Sequence, residues 1–278
     1  MPDAGRTSLL AGSSYTAAEP ALVPAGPRRG GGLSRAWGVG IILASMAAGV
    51  ALWELVILVF RVRAYTLPTP GSVAVELAHG FGFLWPALVT TLGETFAGFL
   101  AAAVAGVVLA AAIAASRLVE RLVYPLLVVS NAIPKIALAP VFLAWFGLGS
   151  VPRVVMSALL AIFPIVISTV VGLAGIDEGL ILVGRSANAG RLRIFQIIRI
   201  PAALPSIFGG LKVGISLALT GAVVGELVGG NTGLGYVITS SQGNLQLPLT
   251  FAAIVLLAAA GVVLFYLIEL IEKFVTHR

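Results

Sequence analysis

Apolar residues in this chain come in long blocks rather than at helical or strand spacing. Six blocks, Trp37–Phe60, Thr95–Ser116, Leu122–Phe146, Val154–Ile176, Ile207–Val228 and Leu249–Ile271, are apolar all round. A helix rises about 1.5 Å per residue, so a block of this length crosses a hydrocarbon core of roughly 30 Å with some tilt. A transmembrane barrel would show segments of about ten residues alternating apolar and polar positions, and none is seen. The pattern predicts an all-α membrane protein of about six transmembrane helices.

Composition points the same way. Of 278 residues, 59% are hydrophobic and only 10% are charged, with a mean hydropathy of +1.08. Soluble domains average about a quarter charged, so a water-facing globule is excluded. Cysteine is absent, which rules out disulfides, thiolate metal sites and cysteine nucleophiles. Two histidines, His79 and His277, are too few for a histidine metal cluster, and no metal or cofactor is expected. The net charge of +6 reflects where the loops sit, and no nucleic-acid partner is expected.

Residues 1–36 are rich in Gly, Pro, Ala and Ser and carry Arg6, Arg28, Arg29 and Arg35. Such a stretch buries too little apolar surface to offset its ordering entropy, and it reads as a flexible cytoplasmic tail. Residues 37–278 form the transmembrane domain. The first block is too long for the h-region of a signal peptide and lacks a nearby A-x-A site, so it is expected to be a retained span. With the N-terminus cytoplasmic, twelve of the 17 Lys and Arg residues fall inside and three (Arg61, Arg63 and Arg153) outside. The excess of inner positive charge places both termini in the cytoplasm.

The longest inner loop, residues 177–204, mixes Ile181, Leu182, Val183, Leu192, Ile194, Phe195, Ile197 and Ile198 with four arginines, and stops at Pro201 and Pro205. This composition predicts short amphipathic helices, lying either on lipid headgroups or against a partner. No G-x-x-x-x-G-K-[ST] string occurs, and Gly-Leu-Gly-Tyr-Val-Ile lacks the last glycine of a dinucleotide loop. Any energy source therefore belongs to another chain, and the chain itself is expected to be non-catalytic. A secondary transporter driven by an ion gradient is the alternative, but the internal repeat typical of that class is missing. A membrane enzyme would need acidic or histidine clusters at the inner face, where only Glu120, Asp177 and Glu178 stand.

Small residues recur every fourth position: Gly98, Ala102, Gly106 and Ala110 in the second block, and Gly210, Gly214, Gly221, Gly225 and Gly229 in the fifth. Such faces let helices approach closely in lipid. The second is read as packing within one subunit; for the fifth, packing, a lining role and a subunit contact stay open. The third block holds Pro125, Pro134 and Pro140, with Asn131 and Lys135 among them, so a broken helix covered by protein or a water-filled cavity is expected. Ionisable residues inside blocks are Glu54, Glu94, Lys135, Lys212 and Glu226. Glu94, Lys212 and Glu226 lie near block ends, where snorkelling to the interface competes with a functional role. Lys135 is the deepest cation, facing either a polar passage or a structural ion-pair partner.

Gly184–Pro205 reads GRSANAGRLRIFQIIRIPAALP and resembles the cytoplasmic loop of binding-protein-dependent ABC transporter permeases. The signature of that loop is E-A-A, three residues, Gly, nine residues, I-x-L-P. With its end on Ile198, Arg199, Ile200 and Pro201, the motif glycine falls on Asn188, the alanines on Val183 and Gly184, and the glutamate on Leu182. Asparagine also enters left-handed backbone conformations, so that replacement is tolerable; the glutamate is lost. AIPKIALAPVFLAWFGLG (Ala132–Gly149), FPIVISTVVGL from Phe163, and GAVVGELVGGNTGLGYVI (Gly221–Ile238) resemble the nitrate/sulfonate/taurine branch. The Pro134-Lys135 pair is closer to permeases for thiamine pyrimidine precursors or riboflavin. The likeness covers most of the chain from about Leu67.

The resemblance implies a type I importer in the plasma membrane, with two permease subunits (a homodimer here), a separate cytoplasmic ABC ATPase and an extracytoplasmic solute-binding protein. It assigns ATPase coupling to Leu182, Val183, Gly184, Arg185, Ser186, Ala187, Asn188, Ala189, Gly190, Ile198 and Pro201. Asn131, Pro134, Lys135, Phe163 and Glu226 are the candidate lining of the solute path.

Overall fold

Helix is the only regular structure among the described residues of the computed structural model, 33–63 and 66–276. The expected tail lies outside them up to residue 32, whereas 33–36 already belong to the first helix. In chain order the helices are α1 (Leu33–Phe60), α2 (Pro70–His79), α3 (Phe81–Ala115), α4 (Arg117–Ala132), α5 (Ala139–Phe146) and α6 (Ser150–Ala174). They continue with α7 (Glu178–Ser186), α8 (Arg191–Ile194), α9 (Ile200–Gly229), α10 (Leu234–Gly243) and α11 (Leu247–Thr276). A 3-10 turn, Lys135–Leu138, precedes α5, and a π turn, Phe195–Arg199, joins α8 to α9. The chain divides after Val50 into two units, and the packing described below belongs to the second.

Among the described residues, four helical stretches are long and apolar enough to cross a membrane unbroken: Phe81–Ala115, Ser150–Ala174, Phe195–Gly229 and Leu247–Thr276. The third apolar block is a pair of helices meeting at 84°, as its prolines predict, and Ala44–Phe60 is a shorter apolar stretch. Six apolar blocks therefore do not give six straight spans. The break is local chemistry. Ile133, which precedes Pro134, is extended with ψ 126°, because the proline ring disfavours helical backbone just before it. Pro134 is itself extended with ψ 91°, so two successive residues leave the helix.

Two other boundaries differ from expectation. α3 begins fourteen residues before Thr95 because its polar residues, Thr91 and Glu94, are buried against partners rather than left in lipid. Pro201 and Pro205 do not stop the loop; they lie in the first turns of α9. Pro201 has no N–H to give the fourth carbonyl back, and the ladder loosens to the wider π spacing just before it, with the Ile200 N–H bonding to Phe195 O. The second half of the loop thus runs straight into the next span.

The core of this unit is α6 between α3 and α9. Gly98, Ala102, Gly106 and Ala110 of α3 are all buried, and Gly98 and Gly106 face α6, as the four-residue spacing predicts. The small face of α9 also turns inward, since Gly210, Gly214, Gly221 and Gly225 all meet α6. Of the readings left open for that face, packing within one subunit is the one observed. Ser157 marks the tightest point. A Cβ on Gly98 would run into its side chain, and one on Gly221 would lie 2.5 Å from Met156 O and 2.7 Å from Ser157 Cα. Ser157 Oγ also donates to Thr95 O at 3.4 Å.

Because the atoms opposing Gly221 are backbone, the seam has no flexible side chain to yield. Gly221→Val should cost about 1–3 kcal/mol through overpacking. Gly209→Ala, which points into open space inside the same helix, should not lower stability. Thermal unfolding of the detergent-solubilised protein compares the two, and an unshifted midpoint for Gly221→Val refutes the tight seam.

Candidate functional site

The surface loop is a built structure. Asp177 caps α7, its carboxylate accepting from Gly179 N–H at 2.8 Å. The helix closes through Asn188, which has φ +57°. Around it the Asn188 N–H donates to Arg185 O at 2.9 Å and the Ala189 N–H to Gly184 O at 3.1 Å. This is the paired bonding of a helix that ends on a left-handed residue, usually glycine and sometimes asparagine. The residue standing in the motif's glycine position adopts the conformation the glycine is used for.

Gly184 is buried, and a Cβ there would lie 2.8 Å from Ile198 Cδ1 and 3.3 Å from Ile194 Cγ1. That contact locks α7 onto the π turn leading into α9. On the other side of α7, Leu182 is 59% and Val183 68% exposed, and Leu180 and Arg185 are exposed as well. Ser186, Ala187, Asn188, Gly190 and Pro201 are exposed, with Ala189 and Ile198 half-buried. The expected amphipathic helices are present, and α7 shows apolar residues to whatever lies outside.

The broken span gathers three of the candidate path residues. Lys135 Nζ donates to Asn131 Oδ1 at 2.9 Å and stands 5.1 Å from the centre of the Phe163 ring, a cation–π distance. Pro134 forms the corner between them. Phe163 lies midway along α6, so the ammonium sits near mid-depth of the helix layer. Among the described residues Lys135 has no carboxylate partner, so an ion pair does not account for it.

Glu226 is not with them. It is 1% exposed near the C-terminal end of α9, the opposite end from the loop, and belongs to a buried polar cluster. Thr91 Oγ1 donates to Glu226 Oε1 at 2.7 Å, and the Gly235 N–H donates to Oε2 at 2.7 Å. The Leu234 N–H donates to Thr91 Oγ1 at 2.9 Å. The first amides of α10 are thereby met by a carboxylate and a hydroxyl from two other helices, and the carboxylate also faces the positive end of the α10 dipole. Nearby, Arg153 of α6 pairs with Glu94 of α3 at 2.8 Å, both nearly buried. Arg153 Nε donates to Gly149 O at 2.7 Å, and its Nη1 to Thr232 Oγ1 at 3.0 Å. Glu94 and Glu226 therefore do not snorkel. Lys212 pairs instead with Glu272 of α11 at 2.7 Å.

A surface helix locked to the following span, a proline-broken span and a bundle without a nucleotide loop fit a membrane subunit worked by another chain. Residues 102–277 match the family model described as binding-protein-dependent transport system inner membrane component. The chain belongs to that family. The permease is 36% identical over 226 residues to the riboflavin transport system permease protein RibX of Chloroflexus aurantiacus, covering 81% of this chain and 84% of that one. It is 33% identical over 225 residues to a probable ABC transporter permease protein of Haemophilus influenzae, covering 81% and 92%. The taurine transport system permease protein TauC of Escherichia coli is 25% identical over 239 residues, covering 84% and 86%. In fold it is similar to an inward-facing MetNI methionine ABC transporter chain, with a TM-score of 0.56, 22% identity, and coverage of 70% of this chain and 94% of that one.

The permease is thus a multi-pass membrane component of an ABC importer, in the nitrate/sulfonate/taurine branch, and the secondary-transporter alternative is set aside. Its family works with an ATPase and a solute-binding protein. Sequence reasoning missed the Glu94–Arg153–Glu226 cluster, counting Arg153 only as a loop cation. A signal was there: these residues lie near the start of the second block, the start of the fourth and the end of the fifth. In an alternating bundle those positions share one end.

Replacing Arg153 with Met leaves Glu94 buried without its guanidinium and should cost about 3–5 kcal/mol. The double replacement Glu94→Gln with Arg153→Met should recover part of that loss. Unfolding midpoints of the solubilised permease test it, and a stable Arg153→Met variant would contradict the role of the ion pair.

Proposed function

We propose that this permease forms, with a second copy of itself, the path by which a small solute enters the cytoplasm, opened and closed by ATPase subunits gripping α7. Both termini face the cytoplasm in this reading, supported by the twelve-to-three bias of Lys and Arg toward the α7 side. The observation that carries the proposal is the construction of the loop. α7 closes on Asn188 and seats on Ile194 and Ile198 through Gly184, and α8 runs into α9 through the π turn without a break. Force applied to Leu182, Val183 and Arg185 reaches a span directly. An exposed apolar strip beside a cation is also the surface a partner protein takes. Leu182, in place of the motif glutamate, makes this contact apolar.

Rigid-body rotation of packed elements turns local binding into a change of access. ATP binding draws the ATPases together, α7 and α9 tilt as one piece, and the path opens toward the solute-binding protein; hydrolysis resets it. The permease carries no chemistry of its own in this cycle. Identity is higher to the riboflavin permease and to the formylaminopyrimidine permease protein ThiX of Halalkalibacterium halodurans, at 34%, than to the taurine protein. This supports a heterocyclic solute of that class, with sulfonates second. Asn131, Lys135 and Phe163 would meet it in transit, offering an amide, a cation and a ring.

Val183→Asp and Arg185→Glu should each weaken ATPase association by roughly tenfold or more, as loss of a central interface contact does. Membrane insertion should be unchanged. Pull-down of the ATPase reads the result, and undiminished association would refute the coupling role of α7. Lys135→Met should lower uptake of labelled riboflavin or pyrimidine by proteoliposomes holding the full transporter, with ATPase association intact. Unchanged uptake of every solute tried would remove Lys135 from the path.

A further inference from the structure

A pocket of about 690 Å³ opens between the last turns of α3 and the surface loop, and of the residues that line it the transport reading uses only Arg185. Its walls are apolar, formed by Ala111, Ala112 and Ala115 of α3 with Ile181 and Phe195 of the loop, and Arg185 and Arg199 stand at it together. Among the described residues neither arginine has a carboxylate within ion-pair distance. Two guanidiniums sharing one cavity repel each other and leave a site for a single anion with two oxygens to offer. The pocket sits where a membrane-crossing helix ends.

We propose that this pocket holds an anionic phospholipid, the phosphate between Arg185 and Arg199 and the upper part of one acyl chain against the alanines of α3. Basic pockets between spans at the membrane surface take such headgroups. The combination excludes simpler occupants. A free phosphate satisfies the guanidiniums but leaves the apolar wall wet. The segment 1–32 carries Arg6, Arg28 and Arg29 against Asp3 and Glu19, so its charge has the same sign as the pocket. A zwitterionic lipid adds a cation where two already stand. A lipid held here touches α3 on one side and α7 on the other, so its presence would bias the tilt of the loop. The inference rests on the membrane assignment and not on the importer cycle.

The test is native mass spectrometry of the complete permease–ATPase complex, delipidated in detergent and exposed to phosphatidylglycerol or phosphatidylcholine. Phosphatidylglycerol should be retained in preference, and excess inorganic phosphate should not displace it. Arg199→Gln should weaken retention roughly fivefold, and Ala112→Phe, which fills the pocket without touching charge, should reduce it as well. Size-exclusion elution of each variant shows that it is folded, and ATPase co-purification is scored separately, so a failed importer reading is told apart from a failed lipid site. Equal retention of the two lipids, or retention unaffected by both substitutions, would overturn the proposal. So would displacement by phosphate, which would mean a simple anion site. Lipid bound to free permease but lost once the ATPase associates would also overturn it, since the pocket would then be the ATPase's own seat.

Discussion

The close approach of α3 and α9 to α6 at Ser157 is the constraint on which the remaining architecture rests. In lipid no hydrophobic gain drives one apolar helix onto another, so association depends on contact area and on polar groups that find each other. Small residues supply the first. Gly98 and Gly221 bring two backbones against the same serine from opposite sides, which fixes the height of three helices relative to one another. At that register Glu94 reaches Arg153, and Glu226 reaches the first amides of α10. A slip of one helix by a single turn, about 5.4 Å, would strand a buried carboxylate or guanidinium away from its partner.

The two ends of this three-helix unit are built for different purposes. At one, ionic and hydrogen-bonded contacts bind α3, α6, α9 and α10 into a closed polar cluster, and Gly233, with φ +93°, turns the chain tightly enough for Glu226 to sit beneath it. At the other, α6 ends at Ala174 and α7 packs through Gly184 on two isoleucines, leaving apolar side chains exposed. An end tied together by a buried ion pair and hydrogen bonds, opposite an end that presents an exposed apolar surface, is what the tilting proposed above would need. The broken span lies between them, with Lys135 at mid-depth.

The tie between the loop and the span is a consequence of proline chemistry. Pro201 was expected to end the loop. Instead the missing N–H widens the ladder over one turn, and the helix goes on. The same residue type at Pro134 does break its helix, because Ile133 before it is extended and Pro134 follows suit. The difference lies in the residue before each proline: Ile200 stays helical, with φ −61° and ψ −52°, whereas Ile133 takes the extended backbone that a following proline favours.

Local features were legible from residues alone. The apolar blocks announced the spans, the prolines announced the break, and the four-residue spacing of small residues announced which face of α3 packs. That asparagine could stand in the motif's glycine position followed from its conformational range, and the loop's place in the family from its own string of residues. These are properties of neighbours in sequence, governed by backbone sterics and helical period. What tertiary structure alone decided was pairing over distance: Thr91 with Glu226, 135 residues apart, Arg153 with Glu94 and Thr232, and Lys135 over Phe163. A charge near the end of an apolar block is free to reach water or a buried partner with equal local grammar. Only the arrangement of the other helices determines which of the two it meets.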